Sequence, residues 1–374
     1  MRGGCGSKSA TRRATASGRA AATGLAGILV TATSLIGCAS KESVGFGSIN
    51  VLSAGVINDP ANKSLRFDLL KFGLEQFCQE MQRRGVALKL RDGEPNVGRF
   101  FATSCQSQVI DEPSRQSILV RYAGRGFAWT NVTQRVGFES EGLVEYGPDF
   151  QMHDDAMYIY FRPRNVDSTA FKTTLVESSL ASTGIVLTGV SPDQVGQNVV
   201  QSQLRRGFTV VRRDDKGETE FSLGVVPAGQ MPFHPFQVVE SERTTLDNDR
   251  TEVHAGQQDY IGGFTVDGND QALYLTMTLD GANEVDVLLI PKPSADALIQ
   301  QYTSTAGPAQ PQQSAFGAVL RSGAVLKQYM PVPAGTYALL VDNSNRVGQA
   351  NPPGVALDDR AARIDYLVQV GDRP

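Results

Sequence analysis

Leu273-Tyr274-Leu275-Thr276-Met277-Thr278-Leu279 sets an apolar side chain at every second position, with Leu273, Leu275, Met277 and Leu279 on one side and Tyr274, Thr276 and Thr278 on the other. A repeat of two is that of an extended strand, whose successive side chains point to opposite faces. The stretch therefore predicts a strand with one dry and one wetter face. Residues 285–290, 337–341 and 364–370 are further β-type runs between turn residues. Residues 294–302 predict one short helix, and 303–314, rich in Pro, Gln and Ala, a mobile loop. Residues 229–374 thus read as an all-β sandwich or jelly-roll-like domain.

Working towards the N-terminus, Val226-Pro227-Ala228-Gly229-Gln230-Met231-Pro232-Phe233-His234-Pro235 marks a boundary, because Pro and Gly interrupt regular structure. Before it, Met157, Ile159 and Phe161 alternate with Tyr158, Tyr160 and Arg162. Short β runs at 86–90, 100–110, 117–123, 127–130, 142–146 and 157–162 predict an antiparallel sheet. Phe67, Leu70, Leu74, Phe77, Cys78 and Met81 recur every three or four residues, the period of one helix face. A helix over 65–84 follows, with Ser64 as its cap and Gly85 after its end; at 1.5 Å per residue it is about 30 Å long. Residues 167–190 read as a buried helix or as a helix followed by a strand. Ser191-Pro192-Asp193 starts a helix that Gly207 ends, and 208–213 with 218–226 form a hairpin through the turn at 214–217. Residues 63–228 are accordingly an α+β domain, a helix lying on an antiparallel sheet.

Residues 1–19 are basic, and 20–36 are apolar without charge, too short and weak a run to span a membrane. The run ends in Leu35-Ile36-Gly37-Cys38, which resembles the lipobox of bacterial lipoprotein precursors. The resemblance implies that residues 1–37 are a signal peptide and that Cys38 takes a diacylglyceryl group, the new terminus being acylated in turn, as with palmitate. Several acyl chains anchor stably where one is marginal. It also implies that 38–62 is a lipidated tether and that the protein sits in the cell envelope. Ala39-Ser40, without Asp, resembles the sorting rule for the outer membrane of Gram-negative bacteria. In the last third, residues 332–341 (Val-Pro-Ala-Gly-Thr-Tyr-Ala-Leu-Leu-Val), with Asp259-Tyr260 and Phe264-Thr265-Val266, resemble pre-peptidase C-terminal domains, accessory jelly-roll-like modules of secreted bacterial proteins. That likeness implies a fold rather than an activity.

Export also bears on the cysteines. With Cys5 in the leader and Cys38 at the lipid site, Cys78 and Cys105 are left, and in an oxidising compartment they are expected to pair, stabilising the fold by about 3–4 kcal/mol. Loss of the five basic leader residues leaves thirty Lys and Arg against 39 Asp and Glu, a net charge of -9. Such a chain, with no basic cluster after Cys38, argues against nucleic acid as a partner.

Candidate chemistry is sparse. His153, His234 and His254 stand in separate segments. His153-Asp154-Asp155 reads as a polar turn before a strand rather than as metal ligands. His234 reads as packed beside Phe233 and Phe236, and His254 has no partner that the sequence names. Asp247-Asn248-Asp249 and Asp267-Gly268-Asn269-Asp270 are oxygen-rich, as calcium sites are, but neither completes an EF-hand loop, and turns between strands explain both. Neither a Gly-x-Ser-x-Gly elbow in the mature chain nor a phosphate-binding glycine motif is present. No catalytic residue, metal ligand or cofactor is therefore assigned. The expected function is that of a non-enzymatic envelope protein, anchored to the membrane, whose sandwich binds a protein or glycan. The alternative is a periplasmic carrier of lipid or another hydrophobic ligand, with the 65–84 helix and residues 171–187 covering a cavity.

Overall fold

The computed structural model describes residues 59, 61, 78–79, 81–89, 93–112, 115–130, 134–154, 156–178, 193, 197, 200–201, 204–213, 219–238, 242–352 and 361–374. The leader, the lipid site Cys38, most of the tether, the 65–84 helix before Cys78 and the apolar residues 179–190 lie outside them. Residues from Gly45 onward form one compact unit, and the protein is built mainly from antiparallel β-sheets.

The first sheet is a seven-stranded meander, each strand pairing with the next in the chain. Its strands are β1 (Val86–Leu88), β2 (Gly98–Glu112), β3 (Arg115–Thr130), β4 (Gln134–His153), β5 (Ala156–Val176), β6 (Phe208–Arg213) and β7 (Thr219–Leu223). The runs at 117–123 and 127–130 are one strand, not two. Gly124 and Gly126, which look like breakers, lie inside it because the neighbouring strand comes very close. A Cβ at Gly124 would lie 2.3 Å from the Phe101 carbonyl oxygen, and one at Gly126 2.6 Å from that of Arg99. Residues 167–176 also differ from expectation, being the second half of β5 rather than helix. Pairing of Glu139 with Lys172 and Ser140 with Phe171 along β4 overrides the local spacing, and Phe171 stacks on Phe138 at 5.1 Å.

One face of this sheet is dry. Phe100, Ile118, Val120, Phe138, Val144 and Phe208 pack there with Val200 and Leu204 of the helical stretch before Gly207 and with Met81 of the helical end at 81–84. Cys78 and Cys105 are disulfide-bonded, tying that helical end to β2. Gly207, at φ 67°, ends the second helical stretch in the left-handed conformation that favours glycine.

The remaining strands form two four-stranded sheets. One has the order β13 (Leu326–Met330), β10 (Gln271–Asp280), β15 (Ala362–Asp372), β8 (Thr244–Val253). The other has the order β12 (Phe316–Arg321), β11 (Glu284–Pro291), β14 (Gly335–Asp342), β9 (Gln258–Val266). Leu273, Leu275, Met277 and Leu279 of β10 enter a shared core with Val285, Val287 and Leu289 of β11, Leu339 and Val341 of β14, and Ile364 and Val368 of β15. Side chains of this size each contribute about 1.5–3 kcal/mol when removed from water. The two sheets thus make a β-sandwich. Its β14 lies directly beside β9, pairing Tyr337 with Phe264 and Leu340 with Tyr260.

Helix α1 (Lys292–Tyr302) covers the outer face of the β12-β11-β14-β9 sheet, burying Ala295, Leu298, Ile299 and Tyr302 at helical spacing. Phe127 of the meander meets Tyr260 and Tyr302 there, so the second face of the meander also packs onto this layer. The loop after α1 is seated rather than loose. Ala309 is buried, Gln258 bonds both its N–H and its carbonyl, and the Thr303 carbonyl accepts the Thr174 hydroxyl.

Candidate functional site

Polar groups gather in two places, one closed and one open. The closed place lies where β2 meets the sandwich. Arg99 makes a two-pronged contact with Asp259 of β9, Nε to Oδ1 at 2.8 Å and Nη2 to Oδ2 at 3.0 Å, with both side chains about 5% exposed or less. The Thr251 hydroxyl donates to Asp259 Oδ2 at 2.7 Å, and Arg99 Nη2 also reaches the Tyr366 hydroxyl at 3.3 Å. Burial alone would weaken the Arg99 proton, but the Asp259 charge and hydrogen bonds hold it more firmly than in water. Asp247 faces this group from β8. Burial, reinforced by Asp249, pushes its carboxyl above the usual range.

Asp247-Asn248-Asp249 is therefore not a turn but part of β8. Asp249 pairs with Lys89 at 3.3 Å and accepts the Asn96 amide at 3.0 Å. Asp267-Gly268-Asn269-Asp270 does lie between strands, after β9 and before β10. No cluster of three or more potential metal ligands occurs among the described residues. Although the carboxylates of the seam converge, the cavity beside them measures about 20 Å³, room for roughly one water. They read as an internal ionic joint rather than as a substrate site.

The histidines find partners that sequence reasoning missed. His254 stacks face to face on Trp129 and pairs with Glu252 at 3.1 Å, contacts that join β3 to the sandwich. His234 does not simply pack among phenylalanines; its ring nitrogens meet the Asn248 carbonyl and the Glu220 carboxylate. His153, exposed at the end of β4, sits at a turn as expected, 3.4 Å from Asp154, whose φ of 52° is left-handed.

The open place is a cleft of about 400 Å³ on the outer face of the β12-β11-β14-β9 sheet. Leu288, Gly317 and Val319 form its floor; Gln312 and Gln313 of the 303–314 loop and Arg346 and Gln349 of the loop after β14 form its walls. A Cβ at Gly317 would meet only the terminal methyl of Leu288, at 2.9 Å. The far wall is held by Asp286, buried and accepting the N–H groups of Gln349 and Ala350 at 2.8 and 2.9 Å. Gly348, at φ 73°, allows that approach: a Cβ there would lie 2.2 Å from Asp286. Beneath the same loop, Asp342 accepts from Gln258 and Ser344, and burial pushes its carboxyl up to about 6. The outcome is a cleft with one hydrogen-bonded wall, lined with exposed amides and one guanidinium. Each glutamine amide both donates and accepts, matching hydroxyl and peptide groups, and the volume falls within the range of small-ligand sites.

No known protein family matches the chain, and no curated protein matches it. Among solved structures, one described as infectious bursal disease virus Gx strain aligns over 76% of this chain and 74% of that chain, at 9% identity and a TM-score of 0.19, too low to carry an argument.

Proposed function

We propose that this chain is a lipid-anchored protein of the bacterial envelope that binds an envelope protein or glycan through the cleft of its sandwich and performs no chemistry of its own. The observation that carries the binding role is the open, amide-lined cleft, set against the paired, buried state of the seam carboxylates. The lipobox resemblance at Cys38 supports an envelope address, Ala39-Ser40 without Asp supports the outer membrane, and a disulfide between Cys78 and Cys105 suits an oxidising compartment. In this reading residues 63–228 are the helix-on-sheet part and 229–374 a jelly-roll-like module akin to the pre-peptidase C-terminal type. No helix among the described residues is long and apolar enough to cross a membrane. A carrier role draws less support: residues 171–176, which were to cover its cavity, are strand, and the sheet face nearest them is filled by aromatic side chains.

Two experiments test the proposal. Cys38→Ala is expected to abolish acylation and move the protein from the membrane to the soluble fraction; a variant that keeps its membrane association and an unmodified mass would show the anchor to be something else. For the cleft, glycan arrays and peptide libraries probed with the full chain should yield a ligand whose binding is lost in the triple variant Gln312→Ala, Arg346→Ala, Gln349→Ala at unchanged melting temperature. Equal binding by the variant would place the recognition surface elsewhere.

A further inference from the structure

The segment that leaves β7 and enters β8 is tied to both parts it joins. On the meander side the Val226 N–H donates to the Thr209 hydroxyl, the Tyr158 hydroxyl donates to the Gln230 carbonyl, and Ala228 and Met231 pack on Tyr158 and Tyr160. On the sandwich side the Asn248 side chain bonds both the N–H and the carbonyl of Phe236. His234, between Pro232 and Pro235, touches both sides at once. Its Nδ1 lies 2.9 Å from the Asn248 backbone oxygen of β8, and its Nε2 lies 3.1 Å from the Glu220 carboxylate of β7.

Both of those partners can only accept. A neutral imidazole carries one N–H and one lone pair, so it would set that lone pair against an oxygen at one end. The imidazolium donates from both nitrogens and satisfies both. We infer that His234 is a proton-dependent clasp, charged when it holds the crossing segment to β7 and β8 together and loosened at one end when the ring loses its proton.

The charged groups facing the ring agree. Glu220 from β7 and Asp249 from β8 are both negative, while Arg250 of β8 lies over the ring of the neighbouring Phe233 at 5.3 Å. The Glu220 hydrogen bond is the largest influence and raises the affinity of His234 for its proton; burial opposes it, and the Asn248 carbonyl adds to it. Because the folded value stands above the unfolded one, the stability from this clasp is fully present below the ordinary histidine value of 6.5 and is lost as pH rises through the folded midpoint.

The chain has three histidines, so ring ¹H–¹⁵N spectra of the full chain can be assigned with His153→Gln and His254→Gln. At pH 6 His234 is expected to show two protonated nitrogens and, on titration, a midpoint above 6.5 that falls in Glu220→Gln. Amide protection across residues 230–238, corrected for intrinsic exchange, should drop severalfold above that midpoint in the wild type and show no such step in His234→Gln. A ring with one bare nitrogen at pH 6, a midpoint indifferent to Glu220→Gln, or protection that ignores the titration would each overturn the inference.

Discussion

Arg99→Met is expected to lower the stability of the protein by about 3–5 kcal/mol, because it strips the partner from an almost wholly buried carboxylate. Asp259 is 3% exposed. It would keep only the Thr251 hydroxyl and the Tyr260 N–H as donors, and methionine fills the volume of the arginine stem without supplying charge. At roughly 2–4 °C per kcal/mol for larger domains, the melting temperature should fall by on the order of 10 °C. The double variant Arg99→Met, Asp259→Asn should recover a large part of that loss. An amide costs far less to bury than an unpaired charge; its oxygen can still accept the Tyr260 N–H, and its NH2 can donate to the Thr251 hydroxyl, which has the Asn96 carbonyl as another acceptor. Thermal or denaturant unfolding of the two variants decides the matter: a single-variant cost below about 1 kcal/mol, the size of a surface pair, would mean that the joint is solvated in solution.

The second large effect concerns the crosslink. Reducing the disulfide, or replacing Cys78 with Ser, should cost about 3–4 kcal/mol, since the bond joins residues 27 positions apart and restricts the unfolded chain. The denaturant midpoint should fall, and the slope of the transition should rise because the uncrosslinked chain exposes more surface. The loss has a structural face as well: Cys78 is buried in the helical end that sets Met81 against β2 and β3. Thiol labelling of the denatured, unreduced protein should find neither cysteine free. Reactive thiols there, or identical unfolding curves with and without reductant, would remove the crosslink from the account.

The sandwich was legible because its information is local. In β10 the two-residue repeat assigns every side chain to a face, and the structure sends Leu273, Leu275, Met277 and Leu279 inward as that repeat requires. The short helix expected over 294–302 is present as α1, two residues longer at its start. The errors came where a neighbour decided. Gly124 and Gly126 look like interruptions until the backbone of β2 is seen passing within reach, and residues 167–176 look helical until β4 supplies an edge to pair with. The acidic run at 247–249 reads as a turn by composition, yet Arg99 and Lys89 make it tolerable inside a strand.

The amino-acid sequence by itself determined the strand periodicity and the pairing partners Cys78 and Cys105, and it is the sole ground on which Cys38 is proposed as the anchor. Each is a property of one short segment or of simple elimination among four cysteines. Tertiary structure alone decided the rest. Arg99 and Asp259 are 160 residues apart, Asp286 and Gln349 are 63 apart, and His234 lies 14 from both Glu220 and Asn248, on opposite sides along the chain. A charge or a ring nitrogen leaves no periodic trace of its partner. Its role emerges only once strands far apart in the chain are brought together, and for Arg99 and Asp259 the exclusion of water makes the loss of either partner costly.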